Sequence, residues 1–148
     1  MGMDGPELQK TAANCVPLSP VSFLARAAKF FGKRTAVVHG ERRHDYQTMY
    51  ARCRRFADAL SRAGITAGDT VAVMAMNTPA MLEAHYAVPM LGAVLNPLNF
   101  RLDPASIAFT LEHGEAKILF ADREFHQTVK AALALLQRPI RVIDLADA

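Results

Sequence analysis

Four short apolar runs alternate with segments of helical periodicity in the second half of the chain, and this alternation constrains the fold more than any other feature of the sequence. The runs are TVAVMAM (70–76), AVLNPL (93–98), KILFAD (117–122) and RPIRVIDL (138–145). Each has the length of a strand, and the first is apolar at consecutive positions, as in a strand covered on both faces. Strands that alternate with helices over short connections predict a parallel, doubly wound α/β sheet with right-handed crossovers.

The segments between these runs carry start and stop signals for helices. Thr78-Pro79 begins a helix that we expect to reach about Leu91, with a kink at Pro89. Asp103-Pro104 begins another, which should stop at Gly114. A further helix is marked by apolar residues at helical spacing: Phe125, Val129, Ala132, Leu133 and Leu136. Each strand is thus followed by a helix, as a parallel sheet requires.

The first third of the chain predicts two helices with a β-hairpin between them. Ser19 can cap a short amphipathic helix, with Pro20 in its first turn. Gly40-Glu41 suits the two-residue turn of a hairpin, and Asp45 can cap a longer helix that ends at Gly64. Residues 1–17 show no periodicity, and we expect a flexible lead-in there.

Composition excludes several classes of protein. The chain is 51% hydrophobic and 21% charged, which is typical of a globular domain. Its net charge of +3 is small, and several of its arginines gather in ERRH (41–44) and RCRR (52–55). A nucleic-acid site would require a longer basic stripe with interleaved aromatic residues, so none is predicted. The uncharged run over residues 84–100 contains two prolines and a glycine, so no membrane span is expected, and no secretory signal stands at the N-terminus. We therefore expect a cytoplasmic protein.

The stretch LNPLNFRLDP (95–104) is the candidate ligand loop. It begins at the carboxyl end of the apolar run AVLNPL, which we interpret as a buried, central strand. Ligands of parallel α/β sheets bind beyond the carboxyl ends of the strands, so polar residues at this point suggest a binding loop.

No catalytic or metal motif accompanies this loop. The glycines match neither the dinucleotide-binding fingerprint nor a phosphate-binding P-loop, and no nucleophile elbow is present. Cys15 and Cys53 lie far apart and form no metal-ligand or disulfide pattern. We therefore assign no catalytic residue and no metal ligand within this chain, and the residue patterns alone leave open whether it is an enzyme.

The chain resembles the N-terminal part of the AMP-forming acyl-CoA synthetases, which belong to the adenylate-forming ligase superfamily. The resemblance runs from Pro17 to about Leu133, roughly four fifths of the chain. It is carried by PLSPVSFLARAAKFFGKRTAVVHGERRHDY, YARCRRFADAL, GITAGDTVAVMAMNTPAMLEAHYAVPMLGAVLNPLNFRLDP and HGEAKILFAD, in the family's order. The likeness is greatest to ligases of fatty acids.

The resemblance implies a ligase that condenses a carboxylic acid with ATP to an acyl-adenylate and passes the acyl group to coenzyme A. The family's phosphate loop, ribose-binding motif and catalytic lysine lie beyond the matched region. Residues 18–148 are thus interpreted as a partial AMP-binding domain, inactive alone and without a cofactor of its own. ATP, Mg²⁺ and coenzyme A are implied for the complete parent enzyme, and the rest of the adenylation domain, or a larger ligase subunit, is implied as the partner.

The resemblance also implies six residues close to coenzyme A. They are Asn99, Phe100 and Arg101 in the candidate loop, and Arg123, His126 and Lys130 after the run KILFAD. A purely structural interpretation stays open, in which the asparagines satisfy the loop backbone while Arg101 and Asp103 cap and solvate the next helix.

Two alternatives to an N-terminal ligase fragment also stay open. One is a stand-alone interaction module that complements or regulates an intact ligase. The other, a flavodoxin-like nucleotide binder, is weakened by the missing anion loop. A fragment would expose apolar surface, so we expect self-association.

Overall fold

The computed structural model describes residues 19–146 together with Thr11 and Cys15. Its helices are α1 (Pro20–Phe31), α2 (Tyr46–Arg62), α3 (Pro79–Met90), α4 (Pro104–His113) and α5 (His126–Leu133). Its strands are β1 (Thr35–His39), β2 (Arg42–Asp45), β3 (Thr70–Met74), β4 (Val94–Pro97), β5 (Ala116–Asp122) and β6 (Arg141–Leu145). A short 3₁₀ turn, Arg123–Phe125, joins β5 to α5. The predicted lead-in over residues 1–17 lies outside the described residues, apart from Thr11 and Cys15.

Strands β3 to β6 form one parallel sheet in the order β4-β3-β5-β6. The predicted α/β class, with a parallel sheet flanked by helices and an antiparallel hairpin, is confirmed. The prediction that AVLNPL forms a buried central strand is wrong. In the described chain β4 is an edge strand paired only with β3, and Val94 is 52% exposed. The central strands are β3 and β5, which pair with neighbours on both sides.

Helices cover both faces of the sheet, which explains the nearly continuous apolar sequences of β3 and β5. One face packs on α2 and α3 through Leu60, Ala84 and Val88. The other packs on α4 and α5 through Ile107 and Val129, among others. Alternate residues of a strand point to opposite faces, so a strand covered on both sides needs apolar residues at every position.

The hairpin of β1 and β2 and the helix α1 form a separate small layer beside α2. Gly40 adopts a left-handed backbone, with φ of 56°, at the first position of the predicted two-residue turn. Leu24 of α1 packs against Met49 and Cys53 of α2 in a core of its own. The described helices include none that is both long and apolar enough to cross a bilayer.

Three of the predicted helix starts are confirmed by capping hydrogen bonds, whereas Thr78 makes no side-chain capping bond at the start of α3. Ser19 accepts from the backbone N–H of Val21, and Asp45 accepts from that of Thr48 at 2.7 Å. Asp103 accepts from the backbone N–H groups of Ala105 and Ser106. The pKa of its carboxyl is lowered, first by the hydrogen bond from the Ser106 hydroxyl and then by these backbone bonds. Each cap contributes about 1 kcal/mol to stability. Pro89 lies in the last turn of α3, so the predicted kink stays a prediction.

Candidate functional site

The order of the strands reverses between β3 and β5, and a crevice opens beyond their carboxyl ends. The chain leaves β3 in one direction to reach β4, and β5 in the other to reach β6. The crevice has a volume of about 440 Å³ and is lined from four sides. Its lining residues are Met76 and Thr78 after β3, Asp122, Arg123 and Glu124 at the end of β5, Ala146 after β6, and His39 from the hairpin. Doubly wound sheets bind their ligands at such a point.

The turn after β5 places Arg123 at this crevice. The Asp122 carboxylate accepts a hydrogen bond from the backbone N–H of Glu124 at 3.0 Å, which holds the 3₁₀ turn in place. Arg123 Nε lies 3.9 Å from Asp144 Oδ2, and both side chains are more than half exposed. An ion pair so exposed and so long contributes little, so the guanidinium stays available to an anion.

The loop after β4 docks against the same turn through an aromatic stack. The rings of Phe100 and Phe125 lie 5.2 Å apart at 14° to each other. Arg101 lies over the Phe100 ring, with 5.6 Å between its guanidinium carbon and the centroid. The loop is closed by Asn99, whose side-chain oxygen accepts from the backbone N–H of Arg101 at 3.0 Å. Residues 25 positions apart in sequence thus form one surface.

Helix α5 adds a histidine and a lysine to this region. His126 Nδ1 lies 3.1 Å from the backbone carbonyl oxygen of Arg123, which ties the first turn of α5 to the 3₁₀ turn. Lys130 follows one helical turn later, so the two side chains share a face of the helix. The Lys130 side chain is exposed, and within residues 19–146 it has no ion-pair partner.

A second, larger cleft adjoins the crevice. Its volume is about 640 Å³, and it lies between the hairpin, the β3–α3 connection and α3. His39 and Thr78 line both spaces. His85 also lines this cleft, with its Nδ1 at 2.8 Å from the carbonyl oxygen of Met81.

A family model described as "AMP-binding enzyme" matches residues 24–148, which is most of the chain. The chain belongs to the AMP-binding enzyme family. It is 48% identical over 130 residues to a peroxisomal trans-cinnamate:CoA ligase of Petunia hybrida, covering 88% of this chain and 23% of that protein. It is 47% identical over 136 residues to the acetate–CoA ligase CCL3 of Humulus lupulus, covering 92% of this chain and 24% of that protein. The chain therefore spans about a quarter of the length of these AMP-binding relatives.

A solved structure shows the same fold. The fatty acyl CoA synthetase of Mycobacterium tuberculosis superimposes with a TM-score of 0.79 at 26% identity, over 84% of this chain and 26% of that one. The α/β arrangement described above is thus that of an AMP-binding enzyme over part of its length.

The six predicted site residues of this AMP-binding family member fall into two adjoining groups. Phe100 and Arg101 share the loop with Asn99, and Arg123, His126 and Lys130 follow the turn on which Phe100 stacks. The Asn99 side chain closes its own loop and Asp103 caps α4, as the structural interpretation predicted. The structural interpretation therefore accounts for Asn99, whereas the three cations are left without strong partners in the described chain.

Several residues at the crevice were missed from the sequence. Met76 and Thr78 follow a strand directly, so the rule that selected residues 95–104 applies to them equally. His39 comes from the hairpin, and only the tertiary packing brings it there. In the described part of the chain, no group of three or more His, Cys, Asp or Glu side chains could hold a metal ion.

Proposed function

We propose that this chain is the N-terminal part of an acid–CoA ligase, which activates a carboxylic acid with ATP to an acyl-adenylate and transfers the acyl group to coenzyme A. The observation that carries this proposal is the family match over residues 24–148. The names of the relatives support it, because both relatives are described as CoA ligases. They do not support the alternative of a stand-alone interaction module.

Within this ligase, residues 18–148 form part of the adenylation domain, and the remainder of that domain is the partner. Mg²⁺ and ATP supply the leaving group and the charge neutralisation that adenylation needs. The motifs that the family resemblance links to adenylation lie beyond the matched region, so the adenylation step is assigned to none of the described residues. The chain alone is inactive in this proposal. An intact mass several times 16.2 kDa for the endogenous protein supports this arrangement, and a mass of 16.2 kDa opposes it.

The loop after β4 and the start of α5 are proposed to bind the nucleotide part of coenzyme A. Arg101, Arg123 and Lys130 are exposed cations, as phosphate groups require. The Phe100–Phe125 stack holds the loop against the turn, so the cations of both segments are kept on one surface. A preorganised surface binds more tightly because less side-chain and loop entropy is lost on binding.

Kinetics of the full-length ligase test this assignment. Arg101→Ala and Arg123→Ala should each raise the KM for coenzyme A about tenfold, the loss of one charge-assisted hydrogen bond. The KM for ATP and for the acid should stay unchanged. Arg62→Ala is the matched control, because Arg62 is exposed on α2 and pairs only with Asp58 among the described residues. Equal effects of all three variants, or none, would exclude the contact.

The acid is proposed to be a fatty acid. The structural relative described as a fatty acyl CoA synthetase supports this choice, while the relatives named for cinnamate and acetate define the competing classes. Mass spectrometry of acyl-CoA products from a mixture of acetate, butyrate, cinnamate and palmitate, with the captured endogenous protein, ATP and coenzyme A, tests the choice. Palmitoyl-CoA as the main product supports a fatty-acid ligase, and cinnamoyl-CoA or acetyl-CoA refutes it.

The compartment is proposed to be the cytoplasm. The name of the Petunia relative includes the peroxisome, which makes that organelle the competing location. Fractionation of source cells against a catalase marker separates the two locations.

A further inference from the structure

One face of α1 presents three phenylalanine rings to solvent. Phe23, Phe30 and Phe31 are 55%, 64% and 47% exposed. Spacings of seven and eight residues place the three rings within an arc of about 100° around the helix, and the buried Leu24 borders this arc beside Phe31. Exposed aromatic rings of this size rarely cluster on a protein surface without a partner.

This aromatic face is surrounded by positive charge. Arg26 and Lys29 on α1, with Lys33 and Arg34 directly after it, are all exposed, and none forms an ion pair with a described residue. No aspartate or glutamate occurs between residues 8 and 40. The Asp45 carboxylate, which caps α2, interacts with Lys33 only through its charge and forms no ion pair with it.

The cations lie beside the rings and not at a distance from them. Lys29 Nζ lies 5.4 Å from the centroid of Phe30, and the guanidinium of Arg34 lies 5.2 Å from that of Phe31. The cores of protein interfaces are depleted in lysine, because an ammonium group is costly to desolvate. At a lipid surface, by contrast, rings enter the acyl boundary while neighbouring cations stay among the headgroups.

We propose that α1 and residues 32–34 form a binding site for the surface of an anionic lipid membrane. Phe23, Phe30 and Phe31 enter the boundary between headgroups and acyl chains, and the four cations contact anionic headgroups. The helix lies in the plane of the surface and does not span it. This site is independent of the proposed ligase activity, although it would bring a fatty-acid ligase to the place where long-chain acids accumulate.

A tryptophan reporter tests the proposal with little perturbation, because the sequence contains no tryptophan. Phe30→Trp places the only indole of the chain on the proposed face. Phe109→Trp is the matched control, since Phe109 is 66% exposed on α4, which packs on the other face of the sheet. Emission is recorded with vesicles of pure phosphatidylcholine and with vesicles that contain about 30 mol % phosphatidylserine.

The proposal predicts a blue shift for Phe30→Trp with the anionic vesicles at about 0.1 M NaCl, and a much smaller shift at about 1 M, where the Debye length is roughly 3 Å. The Phe109→Trp emission should not move. In a Phe30→Trp background, Lys29→Ala and Lys33→Ala should each weaken the partition coefficient about fivefold, whereas Arg62→Ala should not weaken it.

Three results would overturn the proposal. The first is an unchanged Phe30→Trp spectrum with anionic vesicles. The second is an equal shift of the Phe109→Trp control, which would mean non-specific adsorption. The third is a blue shift that is present without vesicles and disappears on dilution, because the face would then be a contact between protein chains.

Discussion

The ion pair between α2 and α3 predicts an unequal response to removal of its two partners. Arg52 donates to both carboxylate oxygens of Glu83, from Nε at 2.5 Å and from Nη2 at 3.3 Å. The side chain of Glu83 is only 9% exposed, whereas that of Arg52 is 40% exposed. The pKa of Arg52 is raised, chiefly by its hydrogen bonds to Glu83. The carboxylate therefore depends on the arginine more than the arginine depends on it.

Arg52→Met leaves a buried carboxylate without its partner, and we expect a loss of about 2–3 kcal/mol in the free energy of unfolding. The value is below that for a fully buried pair, because water reaches Arg52. Glu83→Met leaves an arginine that can turn into solvent, so its cost should be about 1 kcal/mol. The double variant should also lose only about 1 kcal/mol, which makes the coupling energy about 2–3 kcal/mol.

Urea unfolding followed by circular dichroism measures all four members of this double-mutant cycle. Similar slopes of free energy against urea concentration would show that the variants unfold from comparable states. The reasoning fails if Glu83→Met costs as much as Arg52→Met, since the difference in exposure would then have no consequence. It also fails if the two losses are additive.

Three further predictions concern a thiol, a strained residue and a titrating carboxyl. Cys53 is fully buried, and burial raises the pKa of its thiol to about 12. Ellman's reagent should therefore modify the exposed Cys15 at once and Cys53 only as the protein unfolds. Rapid modification of both thiols would contradict this prediction. Glu115 follows α4 with a left-handed backbone, φ of 50°, which is strained for a residue other than glycine. Glu115→Gly should therefore raise the free energy of unfolding by about 1 kcal/mol in urea titrations. A lower free energy of unfolding would show that the backbone of Glu115 is not strained. Hydrogen bonds from Lys117 and Thr66 lower the pKa of Asp69 from 3.8 to about 2. The ionised carboxylate therefore stabilises the folded protein fully above about pH 4, and this contribution to the free energy of unfolding is lost as the pH falls towards 2. The melting temperature of Asp69→Asn should therefore change less with pH in that window than the melting temperature of the wild type. An equal change in both proteins would refute the lowered pKa of Asp69.

Local signals in the sequence determine most of the helix boundaries. Ser19, Asp45 and Asp103 were predicted as caps, and each accepts the hydrogen bonds of a first helical turn. These contacts lie within four residues of sequence, so they follow from residue type and position alone. The turn at Gly40 is predictable for the same reason.

The order of strands could not be derived from such signals. The run AVLNPL is apolar, which suggested a buried central strand, yet β4 lies at the edge with Val94 half exposed. A signal was available in Pro97, because proline lacks the N–H that a central strand donates and is confined to sheet edges. The missing donor of Pro97 thus indicates an edge strand even though the run is apolar.

The candidate site was predictable only in its parts. The family resemblance placed Asn99, Phe100 and Arg101 near one ligand with Arg123, His126 and Lys130, but the residue patterns themselves did not connect the two segments. The stack of Phe100 on Phe125 that joins them depends on packing between distant segments. The entry of His39 into the crevice likewise depends on where the hairpin packs. Contacts of this kind leave no periodicity in the sequence.

The central claim is that this chain belongs to an enzyme that forms an acyl-adenylate. The most direct test is acid-dependent exchange of labelled pyrophosphate into ATP by the endogenous protein, captured with an antibody to residues 42–55 and assayed without coenzyme A. The account predicts exchange that requires both a carboxylic acid and Mg²⁺. Formation of acyl-CoA with no such exchange, or with release of ADP and phosphate, would contradict an acyl-adenylate pathway.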